Sequence, residues 1–207
     1  MRPSQAAVVA LLIALASTAA RAEPRVLVLD PASSKVSFVL EATGHDVEGM
    51  LALRSGRIVF DPATGAASGE IAVDLTKAET GNESRDKTMR KDVLETGAYP
   101  LAVFRAERLE GTVAPAGTSK VNLDGVLSFH DAEHRMKVPA TIDVRKGHLK
   151  AETSFPIPYV EWGLHDPSIL MLRVAKVVSV KVMAEGDIQA DVEDVAEVAG
   201  NAGTGEL

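Results

Sequence analysis

The chain has 207 residues, with 29 acidic and 22 basic side chains, a formal net charge of −7 and no cysteine. This length suffices for one ordinary domain with additional ends. Without cysteine the chain cannot use disulfides, so a packed interior must stabilise it. The acidic balance disfavours nucleic-acid binding, which requires a basic surface that neutralises several phosphates.

The first 22 residues have the organisation of an export signal. Arg2 precedes an apolar run over residues 6–16, and small residues follow as far as Ala22. The run is about half of the roughly 20 residues that a membrane span needs. This order is typical of a cleavable secretory signal, with an uncleaved anchor as the alternative. We therefore predict a signal peptide over 1–22 and a mature, exported chain without a membrane span.

Most of the chain after the signal alternates apolar and polar residues with the period of two that indicates β-strands. Such segments are residues 34–42, 70–76, 120–129, 138–144, 149–155 and 178–182. The opposite faces carry charged and hydroxyl side chains, which favours antiparallel sheet with one dry side and one wet side. Gly125 marks a bend or bulge. Short strands with little helix predict an all-β barrel or sandwich.

Residues 81–96 form the one segment with a helical pattern. Thr80 and Glu83 have the spacing of a capping box, in which a hydroxyl and a carboxylate satisfy free amides at a helix start. Met89 and Val93 lie four residues apart and give an apolar stripe. The sequence therefore predicts one amphipathic helix that covers an end or a seam of the barrel.

The domain organisation follows from where these patterns end. The strand patterns extend over a single domain, residues 23–186, which is expected to be a barrel or a sandwich. Residues 187–207 are rich in Ala, Gly, Val and acids and contain no aromatic residue. This composition predicts a disordered acidic tail.

Several motifs together resemble the YceI-like family. The pair TGNESRD (80–86) and YPLAVF (99–104), in register, is the most specific part of the resemblance. Further matching segments are LDPASSKVSF (29–38), HDVEG (45–49), GRIVFD (56–61), GVL (125–127), HRMKVP (134–139) and PYVEWGLHDPS (158–168). The resemblance covers about residues 26–184.

The resemblance implies an extended, lipocalin-like antiparallel β-barrel of about eight strands with a helix at one side. It implies a periplasmic protein, because family members are typically periplasmic or secreted. Some members bind a long isoprenoid, such as a polyprenyl or quinone-type lipid, inside the barrel. An apolar lipid is therefore the expected partner of this chain, and a family-like homodimer stays open.

Ten apolar positions are the candidate lining of such an interior. They are Phe38, Leu40, Phe60, Ile71, Val73, Phe104, Leu127, Phe129, Ile142 and Phe155. A barrel of about eight strands is either filled by its own side chains or holds one slim ligand. Small residues such as Ala42, Ala140 and Ala151 would leave room along the axis. The alternative is a filled barrel in a stress or interaction protein.

Five further residues are candidates at the barrel mouth or on the helix. They are His45, Arg85, Asp86, Met89 and Trp162. Asp86 is expected to tie the helix to a neighbouring strand. Trp162, the only tryptophan, lies in a proline-bounded loop and is predicted to plug one barrel end or to cover a ligand.

The histidines supply a metal-binding alternative, whose ligands would be His45, His130, His134 and His165. Across a tight hairpin, His130 and His134 could face one zinc or copper ion. Their spacing fits no established metal motif, so we expect no metal and no cofactor apart from a bound lipid. The chain also lacks a nucleophile elbow, a P-loop and a dinucleotide fingerprint, which predicts a non-catalytic protein.

Overall fold

The computed structural model describes residues 23–168 and 173–189. The predicted signal peptide (1–22) and most of the predicted acidic tail (190–207) lie outside these residues. This part of the chain contains nine strands, which are β1 (Arg25–Leu29), β2 (Lys35–Leu40), β3 (Val47–Phe60), β4 (Ala67–Glu79), β5 (Leu101–Glu110), β6 (Gly117–Phe129), β7 (Ala132–Arg145), β8 (His148–Ile157) and β9 (Val178–Gln189). Between β4 and β5 lie the helix α1 (Glu83–Thr88) and a π-helical turn (Met89–Val93).

The strands form a closed antiparallel barrel with eight strand positions. From β3 to β9 each strand pairs with the next one along the chain. The strands β1 and β2 share the eighth position, because both pair with β3 on one side and with β9 on the other. A turn at Asp30 separates them, and its carboxylate accepts hydrogen bonds from the Ala32 amide (2.9 Å) and the Ser33 hydroxyl. The predicted barrel of about eight strands is confirmed.

Alternate residues of each strand face the barrel interior, as the sequence pattern predicts. One end of the barrel, called here the closed end, is filled by a buried apolar cluster. Its members are Phe60, Leu109, Val121, Ile142, Val144 and Leu149. The opposite end, called here the mouth, carries the helical segment and the loop over residues 158–168, which pack on a second cluster.

The ladder between β7 and β8 ends partway along the two strands. These strands pair from Arg145↔His148 only as far as Thr141↔Glu152. Among the described residues, the rest of β7 pairs with β6 alone and the rest of β8 pairs with β9 alone. The two strands therefore part towards the mouth.

The helical segment differs from its prediction at both ends. Asn82 caps the helix, since its side-chain oxygen accepts the Arg85 amide hydrogen at 3.1 Å. The predicted capping box is therefore wrong, and the Thr80 hydroxyl bonds to Asp86 instead. The α-helix also stops at Thr88, because the chain widens into a π-turn whose Leu94 amide bonds to the Met89 carbonyl at 2.8 Å.

Two strand details also differ from the sequence interpretation. The bulge expected at Gly125 lies on the neighbouring strand, where the register with β6 shifts between Ala106 and Arg108. Gly125 instead leaves space for the ring of Phe104, which covers it. The last strand continues to Gln189, past the predicted domain end at 186, because Asp187 pairs with both β1 and β8.

Candidate functional site

The inward faces of β7, β8 and β9 are only half buried over much of their length. This set, called here the open side of the interior, consists of Met136, Val138, Ala140, Ala151, Thr153, Phe155, Val180 and Val182. Protein interiors pack as densely as organic crystals, so residues of a filled barrel would be inaccessible at these positions. Their partial accessibility shows that the packing around these positions is incomplete, although each apolar member also contacts one of the buried clusters.

The opposite wall of the interior contains fully buried residues. Val36, Leu53 and Ile58 on β2 and β3 are each at most 6% exposed. Phe104 on β5 is buried and lies against Gly125. Leu40, Leu51, Ile71 and Val73 are half buried like the residues of the open side, so partial accessibility is not confined to one side of the barrel.

The ten candidate lining residues all face the interior, but they do not have the same surroundings. Phe60 and Ile142 belong to the cluster at the closed end and form its floor. Leu40, Leu127, Phe129 and Phe155 line the mouth, Ile71, Val73 and Phe104 lie in the middle clusters, and Phe38 covers Gly49. Of these ten residues, Leu127 on β6 and Phe155 on β8 are half buried and lie next to or within the open side.

Trp162 covers part of the mouth. Its ring stacks on the His134 imidazole, with centroids 3.7 Å apart and planes 10° apart, and meets the Phe129 ring edge to face. The same loop buries Leu164 and Tyr159, whose hydroxyl donates to the Ala175 carbonyl at 2.9 Å. Burial raises the pKa of Tyr159 to about 12, so this donor keeps its proton.

Two polar atoms of the apolar interior have no hydrogen-bond partner among the described residues. They are His134 Nε2 on β7 and Thr153 Oγ1 on β8, and both are buried. Leaving such an atom unpaired costs about 1–3 kcal/mol, so buried polar atoms nearly always bond to protein, water or ligand. The interior therefore offers two hydrogen-bonding positions within an otherwise apolar lining.

The sequence interpretation placed His134 beside a tight hairpin, as a possible metal ligand opposite His130, and the structure corrects this. His134 pairs with Leu127 in the β6–β7 ladder and shares the inward face with Met136 and Val138. His134 alternates in phase with Met136 and Val138, and this period of two in the sequence could have predicted that His134 faces the barrel interior. Thr153, in phase with Ala151 and Phe155, was likewise not singled out.

Burial lowers the pKa of His134 below its ordinary value, because the apolar surroundings disfavour the imidazolium form. The neutral ring's contribution to stability is therefore complete above about pH 6.5 and is lost as the pH falls through the lowered pKa. Since Trp162 is the only tryptophan, we expect its emission to shift to longer wavelength as the pH falls below the ordinary histidine pKa of about 6.5. Fluorescence titration of the folded protein measures this transition.

The control for this titration is His130, a histidine four residues before His134. His130 bonds to the Glu95 carboxylate at 2.8 Å and lies 4.4 Å from the Tyr99 ring centroid, away from the stack. His134→Gln should abolish the emission shift, whereas His130→Gln should retain it. A shift that survives His134→Gln would assign the transition to another group.

Arg85 and Asp86 join the helix to the end of β4. The buried Asp86 carboxylate accepts hydrogen bonds from the Thr80 amide at 2.8 Å and from the Thr80 hydroxyl. Arg85 Nε donates to the same hydroxyl oxygen at 2.7 Å, and Arg85 Nη2 donates to the Thr80 carbonyl at 3.0 Å. These contacts agree with the expectation that Asp86 ties the helix to a strand, and they give the TGNESRD motif a structural role.

Removing the buried carboxylate is expected to destabilise this junction. Asp86→Ala leaves the Thr80 amide and hydroxyl without their acceptor, which should lower the free energy of unfolding by about 2 kcal/mol. Asp92→Ala is the matched control, because Asp92 is exposed on the same segment. Urea unfolding followed by circular dichroism measures both values, and equal stabilities for the two variants would contradict the role of Asp86.

The histidines of the metal alternative do not form a shared site. His130 and Asp131 make the β6–β7 turn with positive φ angles of 53° and 61°, whereas His134 points into the barrel. The expected arrangement of His130 facing His134 across the hairpin is therefore wrong. His45 and His165 are exposed. In the described part of the chain, no group of three His, Cys, Asp or Glu side chains could hold a metal ion.

The remaining mouth and helix candidates have separate positions. Met89 is half buried at the start of the π-turn, three residues after Asp86, and its amide donates to the Arg85 and Asp86 carbonyls. His45 lies in the exposed connection that leads into β3. Within residues 23–168 and 173–189, no helix is long and apolar enough to span a membrane.

The fold and its apolar interior define a lipocalin-like barrel protein. The chain belongs to the YceI-like family, since the YceI-like domain model matches residues 27–193. No curated protein sequence matches the chain.

Solved structures with the same fold include three bacterial proteins. BcnA of Burkholderia cenocepacia is 23% identical with a TM-score of 0.62, and the match covers 76% of this chain and 98% of that protein. A polyisoprenoid binding domain from Saccharophagus degradans, implicated in plant cell wall breakdown, is 16% identical, with a TM-score of 0.60 and coverages of 79% and 98%. The YCEI protein of Campylobacter jejuni is 18% identical, with a TM-score of 0.55 and coverages of 69% and 85%.

Proposed function

We propose that the protein binds and sequesters one long apolar lipid, an isoprenoid of the polyprenyl or quinone type, inside its barrel and catalyses no reaction. The observation that carries this proposal is the half-buried open side, an apolar inward surface that stays partly accessible. Hydrocarbon placed there would leave water at roughly 0.8 kcal/mol per methylene group. The lipid therefore gains its binding energy from the same surface that the barrel leaves uncovered.

The free energy gained by burying the hydrocarbon is large enough for binding. Association costs an estimated 4–15 kcal/mol of translational and rotational freedom, in addition to the ordering of the chain. About five buried isoprene units, each with five carbons, offset this cost at the area-based value per carbon. A long, slim chain fits an eight-stranded barrel better than a bulky ligand does, because such barrels have narrow interiors.

The two unpaired polar atoms favour a lipid with a hydrogen-bonding group over a plain hydrocarbon. His134 Nε2 and Thr153 Oγ1 can each bond to a hydroxyl or carbonyl oxygen or to a bridging water. The printed description of the Saccharophagus degradans neighbour as polyisoprenoid binding supports the same ligand class. The signal-like residues 1–22 support export to the periplasm, where such a lipid would need shielding from water.

Solvent extraction tests the proposed function. Protein purified without detergent is extracted into chloroform–methanol, and the extract is analysed by mass spectrometry. We expect an isoprenoid lipid at about one molecule per barrel. The control is the same protein unfolded, washed free of lipid and refolded, which should give a blank extract until a polyprenyl alcohol is added. A blank extract before and after this addition would contradict the proposal.

A further inference from the structure

The wall of the barrel has a slot between β7 and β8. Their pairing ends at Thr141↔Glu152, although both strands continue towards the mouth. Among the described residues, the β7 segment 132–140 has only β6 as a partner, and the β8 segment 153–157 has only β9. Two strand edges therefore face each other without a ladder of hydrogen bonds between them.

The sequence of the two strands explains why they part. Pro139 lies on β7 just beyond the last pair, and Pro156 lies on the facing segment of β8. Proline has no amide hydrogen to donate and is found in sheets almost only on edge strands or at bulges. Both prolines are exposed. These residues therefore mark edge strands within an otherwise closed barrel.

The slot coincides with a crevice on the barrel wall. A crevice of about 400 Å³ lies where the pairing ends, and its lining includes Val121, Ala140 and Thr153 from the inward faces and Lys120, Glu152 and Ser154 from the outward faces. The crevice is therefore lined by residues whose side chains belong to both faces of the strands. At the mouth, the Trp162–His134 stack bridges the chain after β8 to β7 and limits the slot there.

The position of Thr153 adds chemistry to this opening. Its side-chain oxygen is buried and has no hydrogen-bond partner among the described residues, and Thr153 is one of the residues that line the crevice. Thr153 shares the inward face of β8 with Phe155, so an apolar lining continues from it towards the mouth. The arrangement suits a molecule with one polar, oxygen-bearing end and a long apolar chain.

We propose that this slot is a lateral portal through which the lipid is taken up and released, with Thr153 contacting its polar end. This inference rests on the proposed function for the identity of the ligand, but the existence of the portal can be tested without any lipid. The natural absence of cysteine makes the chain suited to single-thiol probes.

The first experiment measures the opening itself. Ala140→Cys places a thiol on the inward side of the slot, and Ala184→Cys places one on the inward face of β9, where Ala184 is 7% exposed. Ser154→Cys, on the outward side, gives the rate of a free surface thiol. With a charged, water-soluble thiol reagent, we expect Ala140→Cys to react within about tenfold of Ser154→Cys and Ala184→Cys to react about a hundredfold more slowly. Equal rates for Ala140→Cys and Ala184→Cys would overturn the portal.

The second experiment closes the slot with a covalent crosslink. Pro139→Cys/Ser154→Cys places exposed thiols opposite each other across it, and a short bifunctional maleimide joins them. We expect release of a preloaded polyprenyl alcohol to slow at least tenfold on crosslinking. The control is Thr141→Cys/Glu152→Cys, a directly paired and exposed position on the same strands, where crosslinking should change release by less than twofold. Equal effects at both positions would overturn the portal.

A failure of the portal can be distinguished from a failure of the proposed lipid function. If no variant binds polyprenyl alcohol but Ala140→Cys still reacts rapidly, the proposed lipid function is wrong and the opening stands. If lipid binds but the crosslinked slot leaves its release unchanged, the function stands and the lipid must pass through the mouth instead.

Discussion

Replacing Leu127 by arginine is expected to reduce the bound lipid at least tenfold in a protein that still folds. Leu127 faces the interior midway between Phe104 on β5 and His134 on β7, and it is half buried. A guanidinium group here would have to lose its water to share the interior with hydrocarbon, a cost of several kcal/mol. Lipid content per mole of protein, measured by extraction, gives the result.

The fold should tolerate this change better than a charge at Phe104. Leu127 already contacts accessible space, and a long arginine side chain can extend along it towards water. Circular dichroism and the thermal midpoint establish that the variant is folded. The matched control is Thr141→Arg on the outward face of β7, which should retain its lipid. A folded Leu127→Arg protein with the lipid content of Thr141→Arg would contradict a lipid in the interior.

The second large effect is expected at Gly125. A Cβ atom on this residue would lie 2.1 Å from the Arg105 carbonyl oxygen and 2.6 Å from Cζ of Phe104. The first contact is with backbone of the paired strand, so β5 and β6 would have to separate. Overpacking of this kind typically costs 1–3 kcal/mol and occasionally more. We expect Gly125→Val to lower the free energy of unfolding by about 3 kcal/mol or more, measured by urea unfolding.

A glycine with open space provides the control for this prediction. A Cβ atom on Gly97 would have no neighbour within 4 Å, and its φ angle is not positive. Gly97→Val should therefore stay within about 0.5 kcal/mol of the wild-type stability. If the two valine variants were equally stable, the close approach of Phe104 to Gly125 would not exist in solution.

The strands and their inward faces could be predicted because their signal is local. Alternation over residues such as Val36, Phe38 and Leu40 assigns both the strand and the face that turns inward. The closure of the sheet at eight positions was implied by the family resemblance and not by the alternation, which is equally compatible with a sandwich.

The missed features depend on contacts between distant parts of the chain. Thr80 and Glu83 have the spacing of a capping box, but the Thr80 hydroxyl has a better acceptor in the buried Asp86. The slot depends on where β7 and β8 stop pairing, and Pro139 and Pro156 mark that place only once the strands are known to face each other. A local pattern does not contain this information.

How densely the barrel interior is packed could not be predicted from residue sizes. Ala140 and Ala151 were expected to leave room, and both are half buried. The structure adds that both pack against the closed-end cluster around Leu149, which is 1% exposed. Such contacts arise from the packing of the whole barrel and not from residue size alone.

Native mass spectrometry tests the central claim, an unfilled interior that holds one apolar chain, most directly. The intact protein is measured under gentle and under denaturing conditions, as purified and after incubation with a long-chain polyprenyl alcohol. We predict that the gentle spectrum exceeds the polypeptide mass by one lipid, and that the excess disappears on denaturation. A folded protein whose two masses agree even after the incubation would contradict the account.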